Sequence, residues 1–112
     1  MAIQAQCSVR LTRRYPDPPP EVWAVLTEPQ SLARWLRPGF EVPQTEVEPG
    51  RVLELDWRPP GEEPSVVRIE LTSDGAGTIL VLDHARVDAR IGMRSLAFWV
   101  GALARFPLEA RS

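Results

Sequence analysis

Two periodicities divide this chain, and together they leave few folds open. From Ile91 to Phe106, the residues Met93, Leu96, Trp99, Val100, Leu103 and Phe106 recur at steps of three and four, which sets them on one stripe of a helix. Gly101 and Ala104 flank that stripe and are small enough to admit another backbone. Nearly everything upstream alternates with period two, the spacing of half-buried strands. The chain therefore predicts an α+β fold, with one long amphipathic helix laid into a sheet made by the residues before it.

In order, Ile3, Ala5, Cys7, Val9 and Leu11 alternate with polar residues as a first strand, in which Cys7 reads as a small buried hydrophobe. The segment Tyr15-Pro16-Asp17-Pro18-Pro19-Pro20 ends that strand and opens a helix, with Asp17 as cap and Val22, Trp23 and Leu26 as its apolar stripe. Thr27 and Gln30 have capping-box spacing for a second short helix carrying Leu32, Trp35 and Leu36, so two helices are expected over residues 18–26 and 28–37. Phe40 to Glu48, interrupted by Pro43, predicts an edge strand, and Glu48-Pro49-Gly50-Arg51 a type II turn. Leu53, Leu55 and Trp57 alternate in the next strand, Val67, Ile69 and Leu71 in the one after, with a loop at Pro59–Pro64 between them and a hairpin turn at Asp74-Gly75-Ala76-Gly77. Ile79, Leu80, Val81 and Leu82 are consecutive and apolar, which predicts a last strand buried on both faces. The order is β-α-α-β-β-β-β-α, with about five strands paired antiparallel through short turns.

Length and charge narrow the function classes. At 112 residues the chain fits one domain, residues 1–112, and 44% hydrophobic residues with four Trp suffice for a packed core. A net charge of -2 and a pI near 5.4 argue against a nucleic-acid partner. All 13 basic residues are Arg, and Asn is absent, a bias that either thermal adaptation or a GC-rich genome accounts for. A single Cys excludes an internal disulfide, and with the single His84 it excludes the usual zinc clusters, so no metal or other cofactor is expected. The N-terminal residues lack the apolar core of a signal peptide and no run approaches membrane-spanning length, so the expectation is a cytoplasmic protein without membrane insertion.

Several motifs, taken in order, resemble a known family. Pro19-Pro20-Glu21-Val22-Trp23, then Leu26-Thr27-Glu28-Pro29, Leu32 and Arg34-Trp35 look like the opening of the homologues of the heat-shock-protein (Hsp) ATPase activator, within the START-like, or SRPBCC, superfamily. Gly77-Thr78-Ile79-Leu80-Val81-Leu82-Asp83-His84 resembles that family's GT-x-L-x-L-x-H strand, and Trp99-Val100-Gly101-Ala102-Leu103 its W-x-x-x-L helix signature. The resemblance implies a helix-grip fold: a curved antiparallel sheet around a long C-terminal helix, closed at one end by two short helices, often with a cavity between sheet and helix. The chain departs from the family in carrying only Phe40 to Gln44 where an extra pair of strands usually stands, which bears directly on the size of any cavity.

Candidate sites have a structural reading beside the functional one. Trp23, Trp35, Trp57 and Trp99 lie on separate elements, either as core or as the lining of an aromatic pocket, for which Trp57 and Trp99 are the best placed. A pocket between sheet and helix would be lined by Leu53, Leu55, Trp57, Val67, Ile69 and Leu71, with Leu96, Trp99 and Leu103 opposite. His84 shares a strand face with Leu80 and Leu82, as a hydrogen-bonded structural histidine, a polar anchor in a cavity or a general base. Its neighbour Asp83 points to the other face and cannot orient it, so no catalytic residue is assigned. Glu54, Asp56, Arg58, Arg68 and Glu70 fall on the polar phase and read as cross-strand ion pairs. Phe98, off the helix stripe, is expected to be exposed or to meet another chain.

The first functional expectation is a binding module that holds an apolar small molecule between sheet and helix. The second is a protein-interaction or chaperone-cofactor module with a filled core. The third is a cyclase- or hydrolase-like enzyme. The short Phe40–Val47 edge also predicts a homodimer, against which Pro43, Glu41, Glu46 and Glu48 act as blunting residues.

Overall fold

The computed structural model describes residues 6–31, 36, 40–88 and 92–105; the side chains of residues 6, 7, 86–88, 92, 93 and 105 lie outside that description, as do Trp35 and Phe106. Its elements are β1 (Gln6–Tyr15), α1 (Pro19–Thr27), β2 (Gln44–Glu48), β3 (Val52–Trp57), β4 (Ser65–Asp74), β5 (Gly77–Asp88) and α2 (Gly92–Arg105). All five strands form one antiparallel sheet in the order β1-β5-β4-β3-β2. Four consecutive strands run as a meander, and β1 returns to close on β5. Both helices pack on one face, α2 against β1 and β5, α1 against β4 and β5. This is the helix-grip arrangement that the resemblance implies and the element order read from the periodicities agrees with, with β2 as an edge strand.

The alternation in sequence is the burial pattern in space. Leu53, Leu55, Val67 and Ile69 are fully buried and Leu71 nearly so, all on the face under the helices. The opposite face carries ion pairs: Arg68 meets Glu54 at 3.6 Å across the β3–β4 register, and Arg51 reaches Glu70 at 3.2 Å. These pairs are solvated, so each contributes under about 1 kcal/mol. β5 departs from the sequence expectation of two-sided burial. Leu80 and Leu82 have no exposure, whereas Ile79 and Val81 are only half-buried. Ile79 and Val81 stand on the polar face, where Arg14 and Thr72 flank the first and Thr12 and Glu70 the second, so a central strand in this sheet is covered on one side.

The helix boundaries bring further corrections. Pro18, not Asp17, is the N-cap of α1, without a side-chain cap, and its carbonyl accepts from the Glu21 and Val22 amides. Thr27 does not open a second helix. It is the last residue of α1, and its Oγ1 donates back to the Trp23 carbonyl at 2.9 Å. Residues 29–31 are helical and Leu36 is buried in a turn; the rest of the second helix expected over 28–37 lies outside the described residues.

On α2 the buried stripe holds Trp99 and Leu103 as expected, but also Ala102, which is fully buried, while Val100 is 40% exposed. At 100° per residue this rotates the buried face by roughly 60° from the predicted one, toward Ala102 and Phe98. Ala104 is exposed and does not serve a backbone approach. Phe98 is half-buried and packs on the core, the reverse of the exposure expected for it.

Candidate functional site

The site grows from the end of β3. Pro59 and Pro60 stop that strand just after Trp57, and Gly61, at φ 80°, turns the chain so that the Glu62 amide donates to the Pro59 carbonyl. The loop returns at Ser65, directly opposite Trp57 in the register. Ser65 is in phase with Val67, Ile69 and Leu71, so its hydroxyl points to the helix side. On the next strand Thr78, Leu80, Leu82 and His84 share that face, and each is buried. The GT-x-L-x-L-x-H pattern is thus one buried side of β5. At its start, Thr78 Oγ1 donates to the Asp17 carbonyl at 2.7 Å, tying β5 to the entry of α1. At its end, the β1–β5 register shifts between Cys7 and Val9, beside His84, and such a bulge re-aims neighbouring side chains.

His84 is 2% exposed and holds both ring nitrogens in hydrogen bonds. Trp99 Nε1 lies 3.0 Å from Nδ1, and Ser65 Oγ lies 2.7 Å from Nε2. An indole N–H can only donate, so Nδ1 must be the bare, accepting nitrogen. The proton of the neutral ring therefore sits on Nε2, which donates to Ser65 Oγ. Activation of a serine needs the opposite polarity, with Nε2 accepting the hydroxyl proton. A Ser–His contact of catalytic length is here a structural bridge joining β4, β5 and α2. Burial lowers the His84 pKa to about 4, and the nearby Asp83 carboxylate opposes that shift only in part. The ring is neutral at pH 7.

Around this bridge the aromatic rings converge. Trp57 and Trp99 stand with centroids 4.9 Å apart, and Phe98 touches both, at 5.5 and 5.1 Å. Phe40 meets the edge of Trp57 at 4.9 Å, and His84 lies about equally far from both indoles, at 6.0 and 5.9 Å. Above the cluster opens a cleft of about 190 Å³, lined by Phe40, Trp57, Pro59, Glu62, Arg94, Ser95, Phe98 and Trp99.

Of the ten pocket residues named from the sequence, only Trp57 and Trp99 line this cleft, and His84 packs against both. Leu53, Leu55, Val67, Ile69, Leu71 and Leu103 form the core beneath, with Leu96 half-buried beside it. Trp23 is half-buried elsewhere on the core. Sequence reasoning missed Ser65, Phe40, Arg94 and Ser95. Ser65 was findable, as the polar residue in phase with an apolar strand run; the others depend on the loop path and the rotation of α2. Tyr15 clamps the far end of α2, its hydroxyl donating to the Leu103 carbonyl at 3.3 Å, and burial pushes its pKa up to about 12 against the pull of Arg13. Among the described residues, no cluster of His, Cys, Asp and Glu could hold a metal ion, and no helix is long and apolar enough to cross a membrane.

No protein-family model and no curated protein sequence matches the chain. Solved structures do. CalU16 from Micromonospora echinospora is 26% identical with a TM-score of 0.78, over 92% of this chain and 75% of its own. Protein CV1439 from Chromobacterium violaceum superposes at 0.79 with 17% identity, over 94% of this chain and 97% of its own. The Aha1 dimer from Colwellia psychrerythraea gives 0.73 at 11% identity, over 93% and 94%. The last two show the fold alone. Together they place the chain among helix-grip proteins.

Proposed function

We propose that this protein is a small START-like binding module, residues 1–112 forming one domain, which holds an apolar small molecule in the cleft between the end of β3 and α2. The observation that carries this reading is the aromatic cleft itself, in which Phe40, Trp57, Phe98 and Trp99 line a space of about 190 Å³. The His84 bridge supports it, because a neutral, doubly bonded imidazole holds the floor in place and is turned the wrong way to activate Ser65. Leu53, Leu55, Val67, Ile69, Leu71, Leu96 and Leu103 are the apolar bed on which that floor rests. Within the superfamily, the ordered motifs favour a short relative of the Hsp ATPase activator homologues.

The test is a titration with a neutral apolar fluorophore, N-phenyl-1-naphthylamine. Binding against Trp57, with Trp99 just beneath, is expected to quench Trp emission saturably and to raise Tm, by linkage worth about 2.7 kcal/mol at one hundred times Kd. A flat response for wild type across a panel of apolar aromatics would sink the reading in favour of a protein-interaction module. That second reading rests on the exposed edge strand β2, where Val47 is 48% exposed, and on the likeness to the Colwellia Aha1 dimer.

A further inference from the structure

We infer that the ligand class of the cleft is a planar aromatic carboxylate, bound with its ring against Trp57 and Phe98 and its carboxylate on Arg94. The inference rests on the binding-module reading and adds the charge that the site selects.

Most polar side chains that line the cleft are hydrogen-bond donors. Arg94 and Ser95 lie in the first turn of α2, a turn with no acidic residue, and both line the cleft. Arg94 forms no ion pair and Ser95 no side-chain hydrogen bond among the described residues. Trp57 is 8% exposed and also lines the cleft, yet its indole N–H has no hydrogen-bond partner among the described residues, whereas the Trp99 N–H is committed to His84. A buried donor without a partner is costly. The helix side of the cleft thus offers a guanidinium and a hydroxyl at the positive end of the helix dipole, and the end of β3 adds the Trp57 indole N–H. A carboxylate supplies two accepting oxygens in the geometry that a guanidinium takes in pairs. Glu62, on the loop after β3, is the one acid among the lining residues and disfavours a second negative charge on the ligand.

The volume and walls fix the rest. Four aromatic rings and Pro59 line the space, and contact with aromatic faces and edges favours a conjugated ring over an alkyl chain. A fused bicyclic monocarboxylate meets these demands.

The experiment compares three probes of one shape: 2-naphthoate, neutral 2-naphthol and cationic 2-naphthylmethylamine, titrated by Trp quenching and calorimetry at pH 7.5. Wild type is expected to bind 2-naphthoate about tenfold tighter than 2-naphthol and the cation weakest. Arg94→Gln should erase the preference for the acid by weakening 2-naphthoate far more than 2-naphthol, and Arg94→Lys should restore part of it. Equal affinity for acid and alcohol in wild type, or an Arg94→Gln variant that keeps the preference, overturns the carboxylate assignment and leaves the binding module standing. Failure of all three probes to bind overturns both.

Discussion

His84 sets the acid behaviour of the molecule. Its folded pKa, about 4, is below the ordinary 6.5 because the buried ring loses hydration when charged. Between those values the unfolded chain binds a proton that the folded chain refuses, so stability falls as pH drops from 6.5 to 4 and is level above 6.5. The loss is at most about 3 kcal/mol from this group. Urea denaturation in steps from pH 7 to 4 reads it, and a His84→Gln variant should flatten that part of the curve; an unchanged slope would mean that other groups carry it. The Trp99 N–H adds to the refusal, because a proton on Nδ1 would face a donor. Trp99→Phe keeps most of the ring and removes that donor, so the His84 pKa should rise, as a chemical-shift titration of the imidazole would show. Asp83, although adjacent in sequence, lies on the far face with Arg10 at 3.7 Å and does not orient the ring.

At the scale of elements, Gly77 shows why β5 begins as it does. A Cβ there would strike the Tyr15 backbone carbonyl, because β1 ends against the β4–β5 turn, with Tyr15 opposite Thr78. Gly77→Ala should cost about 1–3 kcal/mol in chemical denaturation, since backbone must move to admit the methyl. Trp99→Ala should cost about 3–5 kcal/mol, Trp99 being the largest fully buried side chain among the described residues; a change below about 1 kcal/mol would refute its central place on α2. The strands were legible in sequence because Leu53, Leu55, Val67, Ile69 and Leu71 keep strict alternation over a one-sided sheet. Their phase also put Trp57 and His84 on the buried face of the sheet. Ile79 and Val81 misled, because a run of apolar residues does not say whether both faces are covered. The phase of α2 misled by part of a turn, since small Ala102 carries no weight in a hydrophobic stripe yet fits closest to the sheet. The cleft was not legible, because it depends on where the loop after Trp57 travels and on Phe40 arriving from a distant segment.

For the whole molecule, the outer edge of β2 is free of a strand partner among the described residues, and Val47 bulges out of its register between Glu46 and Glu48. A two-fold pairing of such edges is the commonest closed solution. Sedimentation at micromolar concentration is expected to show a dimer that Val47→Lys dissociates; a single monomeric species in wild type would show that Pro43 and the acids Glu41, Glu46 and Glu48 suffice to protect the edge. The strand order has a kinetic consequence as well. β2 to β5 pair with their neighbours along the chain, so these hairpins close short loops and can form early. β1 is made first in the chain but pairs with β5, and its clasp from Asp17 to Thr78 spans 61 residues. That pairing closes the longest loop and should come after the barrier. Leu55→Ala should therefore slow refolding, whereas Val9→Ala should leave refolding unchanged and speed unfolding. A newly refolding chain should thus have its meander in place while the partner of β5 is still unbound, which makes β5 a second open edge for that interval.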